Sequence, residues 1–194
     1  MDRDSDAIEP DTKDWTWVLA TPCNDCGYDA ATVAAEELPQ RLRRNAETWV
    51  SVLTDRPDVR VRPAATVWSP LEYACHVRDV HRIFAERVQL MLDEESPEFD
   101  NWDQDEAAAE DDYGLQDPAE VGTAMVERAA EAAVVYASVP EDAWQRTGRR
   151  KAGPDADVNG SEFTIESIGR YHLHDVVHHL WDVTITPARA PQEW

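Results

Sequence analysis

SPLEYACHVRDVHRIFAERVQLML, residues 69–92, carries its own helix start signal. Ser69 offers a side-chain oxygen to the free N–H groups of a first turn. Pro70 takes a position whose N–H would be orphaned anyway, and Glu72 stands where it completes a capping box. From there Tyr73, Val77, Val80, Ile83, Phe84, Val88 and Met91 recur at helical spacing and share one face. The stretch predicts a long amphipathic helix with one buried stripe, which needs partners of the same kind.

Three partners are legible on either side. Pro39 opens a helix whose stripe is Leu42, Ala46, Trp49, Val50 and Leu53, stopped near residue 54 by DRPD. Asp117, Pro118 and Glu120 repeat the cap-proline-acid signature, and Val121, Met125, Ala129, Ala132, Val135 and Tyr136 follow at helical spacing. A fourth helix starts near Thr164 and ends before Pro187. Between them lie an acidic connection, residues 93–117, and a polar one, residues 140–163. No strand ladder is evident, so the expectation is an all-α four-helix bundle. The long link after the second helix lets at least one connection cross the bundle. The expected division is 1–38 as an N-terminal extension with a CxxC segment, 39–186 as the bundle and 187–194 as a tail. Within the extension, residues 1–14 read as disordered, WTWVL (15–19) as a short strand or anchoring segment, and DAATVAAEEL (29–38) as a short helix entered from Asp29. No internal repeat is visible.

Charge narrows the partners. The 194 residues hold 40 acidic and 18 basic side chains, a net −22. Such a surface repels phosphate backbones and anionic headgroups, so neither nucleic acid nor membrane is expected. No apolar run reaches the roughly 20 residues that span a bilayer. The acidic N-terminus does not resemble a signal peptide, and three cysteines do not suit a secreted disulfide framework. The expected location is the cytoplasm and the expected partner a small-molecule substrate.

YHLHDVVHHLWDV, residues 171–183, concentrates four of the six histidines. Residues four apart stack on one helix face, so His174/His178 and Asp175/His179 each form a rung that can grip one ion. On a wheel of about 100° per residue, with the core direction set by Ile165, Val176, Leu180 and Val183, His179 and Asp175 flank the core. His174 and His178 fall on the far side. His172 points inward but sits two turns from His179. On the second helix His76 borders the apolar stripe and His81 lies opposite. The favoured ligand set is therefore His76, Asp175 and His179, nitrogen and oxygen donors that suit Zn²⁺, Ni²⁺ or Fe²⁺. Three protein ligands leave an open position, as in catalytic sites. The bland alternatives are a helix-stabilising Asp/His pair and satisfied core histidines.

WSPLEYACHV (68–77), followed about a hundred residues later by HDVVHHLWDV (174–183), resembles the DinB-like superfamily. That superfamily includes mycothiol-dependent maleylpyruvate isomerases and bacillithiol transferases. Over residues 39–185 the resemblance implies an up-down-down-up bundle with a three-ligand metal site. The tryptophan at the entry to the second helix is Trp68 and the ligand eight residues on is His76. The closing motif makes His179 a ligand and Asp175 the residue four before it, where the family carries His or Glu. His174/His178 is the other register. The resemblance further implies a low-molecular-weight thiol as co-substrate, attacking a small electrophile in a transfer, isomerisation or hydrolysis. It also implies pairing of two copies through bundle faces.

Other features add roles. His178 and His172 are candidates for proton transfer beside a metal. RTGRRK (146–151) stands out in so acidic a chain, and Arg149 and Arg150 are candidates to bind carboxylates of a substrate or thiol. Trp102, in the acidic connection, is a candidate wall or lid. Cys23 and Cys26 form a lone CxxC, which excludes a four-cysteine zinc knuckle and leaves a redox pair, a contribution to a shared metal, or a plain turn with reduced thiols. Asp25 and Asp29 are expected to raise the thiol pKa. Cys75 adjoins His76 but points elsewhere. Besides a metal-dependent enzyme, the sequence allows a non-catalytic metal-binding or stress-related bundle, and an acidic interaction module without metal.

Overall fold

The computed structural model describes Ile8 and residues 13–151 and 160–185. Most of the stretch expected to be disordered, residues 1–7 and 9–12, lies outside them, as do 152–159 and the tail from 186 onward. Four long helices form: α1 (Leu38–Asp55), α2 (Pro70–Asp93), α4 (Pro118–Ala137) and α5 (Ile165–Ile185), with a short α3 (Gln104–Glu110) between α2 and α4. Their starts follow the caps in the sequence. Ser69 and Glu72 exchange bonds, Glu72 N–H to Ser69 Oγ at 3.3 Å and Ser69 N–H to Glu72 Oε2 at 2.8 Å. Asp117 accepts from the amides of Ala119 and Glu120. Thr164 and Ser167 exchange the same kind of bonds before α5.

Close approaches give the direction of each helix. Leu53 at the end of α1 meets Gly122 at the start of α4. Leu38, opening α1, and Tyr136, near the end of α4, both meet Gly169, opening α5. His76 near the start of α2 meets His179 near the end of α5, and Cys75 faces Gln116 just before α4. So α1 and α5 run one way, α2 and α4 the other: up, down, down, up. α1 packs chiefly on α4, α4 on α2, and α2 on α5. Because α2 and α4 run the same way, the long link after α2 returns along the length of the bundle, past Trp102 at His76 to Gln116 at Cys75, while the α1–α2 and α4–α5 connections pass diagonally across its ends. Trp49, Leu71, Met125, Tyr136 and Ile168 are buried in the common core. Gly169 is required there, because a Cβ would come within 2.6 Å of Leu38 Cδ1.

Three expectations are corrected. A small sheet does form, from β1 (Glu98–Phe99), β2 (Thr147–Arg150) and β3 (Ser161–Thr164). β1 pairs parallel with β2, and β2 antiparallel with β3. Strands of two to four residues are too short to show an alternating pattern, and their register comes from distant segments. WTWVL is a 3-10 turn (Trp15–Leu19), not a strand, and it anchors itself through buried Val18. DAATVAAEEL forms two 3-10 turns, Ala30–Thr32 and Ala35–Glu37, rather than one helix. Its buried residues Ala30 and Val33 join the core of the bundle instead of forming one helical stripe. Among the described residues no helix is long and apolar enough to cross a membrane.

Candidate metal centre

The capping box of α2 sets where His76 stands, two turns inside that helix, and α5 runs antiparallel beside it. That geometry brings one donor atom each from His76, Asp175 and His179 within 4.8 Å of one another. His76 Nε2 lies 3.4 Å from Asp175 Oδ1, and His179 Nε2 lies 3.7 Å from the same oxygen. The two imidazoles meet nearly edge to face, with centroids 4.8 Å apart. His76 is 1% exposed, while Asp175 and His179 keep 22% and 21% of their side chains open.

Among the described residues, neither nitrogen of His76 has a hydrogen-bond partner, nor does Asp175 Oδ1. Burial pushes the His76 imidazole below its ordinary pKa, against the pull of Asp175. Burial alone would raise the Asp175 carboxyl, but His76 and His179 beside it hold it below the usual carboxylate range. The site thus presents a neutral imidazole and a carboxylate, the protonation states that ligate metals. His179 Nδ1 lies 3.0 Å from Asp182 Oδ2, a carboxylate–histidine contact that orients Nε2 toward Asp175.

Aromatic rings wall the centre. Trp102 stacks on His76 with centroids 5.3 Å apart and planes 11° from parallel. Trp68 approaches His76 from another side, and Tyr73 lies against His179. Trp68, Tyr73 and Asp182 also line a cleft of about 130 Å³, whose other walls include Val67, Pro70 and Val183. The cleft therefore adjoins the centre.

The structure departs from the helical wheel at His81, while His172 is inward as expected. His81, expected opposite the core, is fully buried and shares a 3.0 Å hydrogen bond, Nδ1 to Nε2, with His172. His172 continues to the Tyr136 hydroxyl at 3.2 Å and stacks on Phe84. A wheel built from the apolar stripe misses such polar contacts between helices, because a histidine bonded to another histidine can sit where only apolar residues are expected. His172 thus has a place in the core network.

The His174/His178 rung is not a surface feature either. Both are buried, at 3% and 8% exposure, because the N-terminal segment lies over that face of α5. Trp15 and Tyr28 contact the imidazole of His174, and Trp15 that of His178. The same segment brings Cys23 and Cys26, so one donor atom each from Cys23, Cys26, His174 and His178 lies within 4.8 Å of the others. The wheel missed this because it treated the bundle without its extension. The signal was present as two unassigned motifs, CxxC and HxxxH. The two rungs that competed for one ion each have partners of their own. Burial, then Cys23, pushes the Cys26 thiol up to about 11, rather than the nearby aspartates. Cys75 does face away, toward the Tyr113 carbonyl.

Arg149 and Arg150 lie on β2. Arg149 pairs with Glu162 at 3.6 Å, and Arg150 Nη2 donates to Ser161 Oγ. Among the described residues, no hydrogen bond or ion pair joins either to the centre.

Comparison with known proteins agrees with this architecture. No curated protein matches the chain. One solved structure does, at 19% identity and a TM-score of 0.57, covering 92% of this chain and 93% of that one. It is YfiT from Bacillus subtilis, described as a probable metal-dependent hydrolase with an unusual four-helix bundle topology. That likeness shows a shared fold. The DinB superfamily model matches residues 31–183, which include all four long helices but for the last residues of α5. The chain belongs to the DinB superfamily.

Proposed function

We propose that this protein is a metal-dependent enzyme in which His76, Asp175 and His179 hold one divalent cation. The observation that carries the reading is the convergence of three donor atoms, two of which, His76 Nε2 and Asp175 Oδ1, are buried and face each other at 3.4 Å without a hydrogen bond among the described residues. Leaving such groups unsatisfied costs about 1–3 kcal/mol each. A bound cation offsets that cost, so the residues fit the group. Asp175, one methylene shorter than Glu, lies within 3.4 and 3.7 Å of the two imidazoles, which supports its reach. Two nitrogens and one oxygen suit zinc or nickel, with iron next.

A cation there supplies Lewis acidity at an open position, bringing the pKa of a water or thiol toward 7. The chain's own residues do the rest. Asp182 holds the His179 ring in the ligating orientation, and Trp102 and Trp68 exclude solvent from His76. The adjoining cleft of about 130 Å³ is small beside the roughly 300–1,000 Å³ of drug-sized sites, which favours a small substrate. Hydrolysis needs no second co-substrate and is the preferred reaction; the description of YfiT points the same way. Transfer of a small thiol, such as mycothiol or bacillithiol, to an electrophile uses the same open position and is the second reading.

The test is elemental analysis of the full chain beside His76→Ala and His179→Ala. A panel of small esters, amides and electrophiles is then assayed with and without added thiol. Thiol-independent turnover by wild type that disappears in the variants along with the metal supports the hydrolase. Turnover only with thiol moves the assignment to transfer. Absence of metal at this triad under every loading condition overturns the enzyme reading. Bound metal with no turnover leaves a metal-binding bundle without catalysis.

A further inference from the structure

Outside the triad, the two unassigned motifs meet on one face of α5. Cys23 and Cys26 come from the loop before α1, and His174 and His178 from consecutive turns of α5, 148 residues on from Cys26 to His174 by sequence number. The C-x2-C and H-x3-H spacings are those of two-cysteine, two-histidine zinc sites. Cys23 Sγ lies 3.6 Å from His178 Nδ1. In a tetrahedron with Zn–S of about 2.3 Å and Zn–N of about 2.0–2.1 Å, ligand sulfur and nitrogen stand roughly 3.5 Å apart. Neither cysteine is in a disulfide.

Three independent details point to a ligand. His174 is 3% exposed, and its Nε2 is buried without a hydrogen-bond partner among the described residues. His178 directs Nδ1 at sulfur while its Nε2 faces Asp182 Oδ1 at 3.8 Å, the side on which a ligating imidazole takes a carboxylate partner. The cysteine loop is also shaped for close approach. Gly27 follows Cys26 at φ +73°, its amide donates to the Cys23 carbonyl, and the Cys23 amide donates to the Tyr28 carbonyl, closing a tight turn around both thiols.

We propose that Cys23, Cys26, His174 and His178 form a second metal site, a closed tetrahedral zinc centre that staples the N-terminal segment to α5. Charge favours zinc here. Two thiolates and two neutral imidazoles around Zn²⁺ sum to zero, so the site can be buried without an unpaired charge. Soft thiolates with imidazole select zinc over the harder cations. Four protein ligands leave no open position, which makes the site structural. Its place gives it a second effect. Asp182 lies between the sites, 3.0 Å from His179 Nδ1 and 3.8 Å from His178 Nε2. Fixing His178 therefore also fixes the carboxylate that orients a residue of the triad.

The test uses the full chain, reduced and loaded with Co²⁺ in place of zinc. Wild type is expected to show a thiolate-to-cobalt charge-transfer band, retained in His76→Ala/His179→Ala and lost in Cys23→Ser/Cys26→Ser. Elemental analysis of zinc-loaded protein should fall by one equivalent in the cysteine variant. If that variant does not fold, wild type alone decides. Its two thiols should resist a thiol reagent when zinc is bound and react after chelation. A missing charge-transfer band, thiols equally reactive with and without zinc, or a Cys23–Cys26 disulfide in zinc-loaded protein overturns the proposal. A thiolate band in a protein whose triad holds no metal sinks the enzyme reading and leaves this one standing.

Discussion

Acidification should destabilise this protein through the buried His81–His172 pair, and His81 makes the effect measurable. Burial depresses the His81 imidazole from 6.5 to about 4. His172, 3.0 Å away, is depressed further by burial and by His81 itself. Both are neutral in the folded state at pH 7, so neither destabilises it there. Below about pH 6.5 the unfolded chain takes up a proton that the folded chain refuses, and stability falls with pH until the folded pKa is reached. The gap from 6.5 to about 4, at ~1.36 kcal/mol per pH unit, comes to about 3 kcal/mol. That is a large part of a typical total of about 5–15 kcal/mol. Loss of the −22 net charge on acidification works the other way, by relieving self-repulsion. The assay must cancel it. Urea unfolding of chelator-treated wild type and His81→Leu, at half-unit steps from pH 7.5 to 4, does so. Leucine leaves no imidazole to protonate at 81 and removes a buried nitrogen, His81 Nε2, that has no hydrogen-bond partner. Wild type should lose about 3 kcal/mol relative to the variant between pH 6.5 and 4. A flat difference over that window, or wild type gaining on the variant as pH falls, refutes the reasoning.

Other outcomes follow from the same structure. Gly169→Ala drives a Cβ to 2.6 Å from Leu38 Cδ1 and 2.9 Å from Tyr136 Cε1, and should cost about 1–3 kcal/mol in urea unfolding. Ser69→Ala removes the cap of α2 and should cost about 1 kcal/mol, read as a lower melting temperature with unchanged helix content. Asp182→Asn should weaken metal binding at the triad about 10–100-fold in chelator competition, since it alters the contact that orients His179. Trp102→Ala uncovers His76 and should speed metal release to a chelator, with little change in thermal stability.

Much of the bundle was legible because it rests on local chemistry. The caps at Ser69 and Asp117 and the apolar stripes that follow them are written within a few residues, and helices form wherever both agree. The starts of α2 and α4 fall where those caps stand. The convergence of His76, Asp175 and His179 could be read the same way, from their places beside the apolar stripes of α2 and α5. What failed was whatever depended on a distant partner. The short strands take their register from segments up to about fifty residues apart, and Gly148 in β2 is needed because Met91 and Phe99 lie against it. His81 read as outward because its partner, His172, is polar.

The last helix separates the two kinds of information. By itself the sequence determined that α5 carries two rungs, Asp175/His179 and His174/His178, since helical periodicity is a property of neighbours along the chain. It could not say that both rungs would be occupied by partners, or which. That was decided by how the antiparallel α2 delivers His76 to one side, while the N-terminal segment folds back with Cys23 and Cys26 to the other. The reason is physical: such a cluster is a coincidence of side chains in space, and only the path of the whole chain brings residues 23 and 76 to the helix that carries 174, 175, 178 and 179.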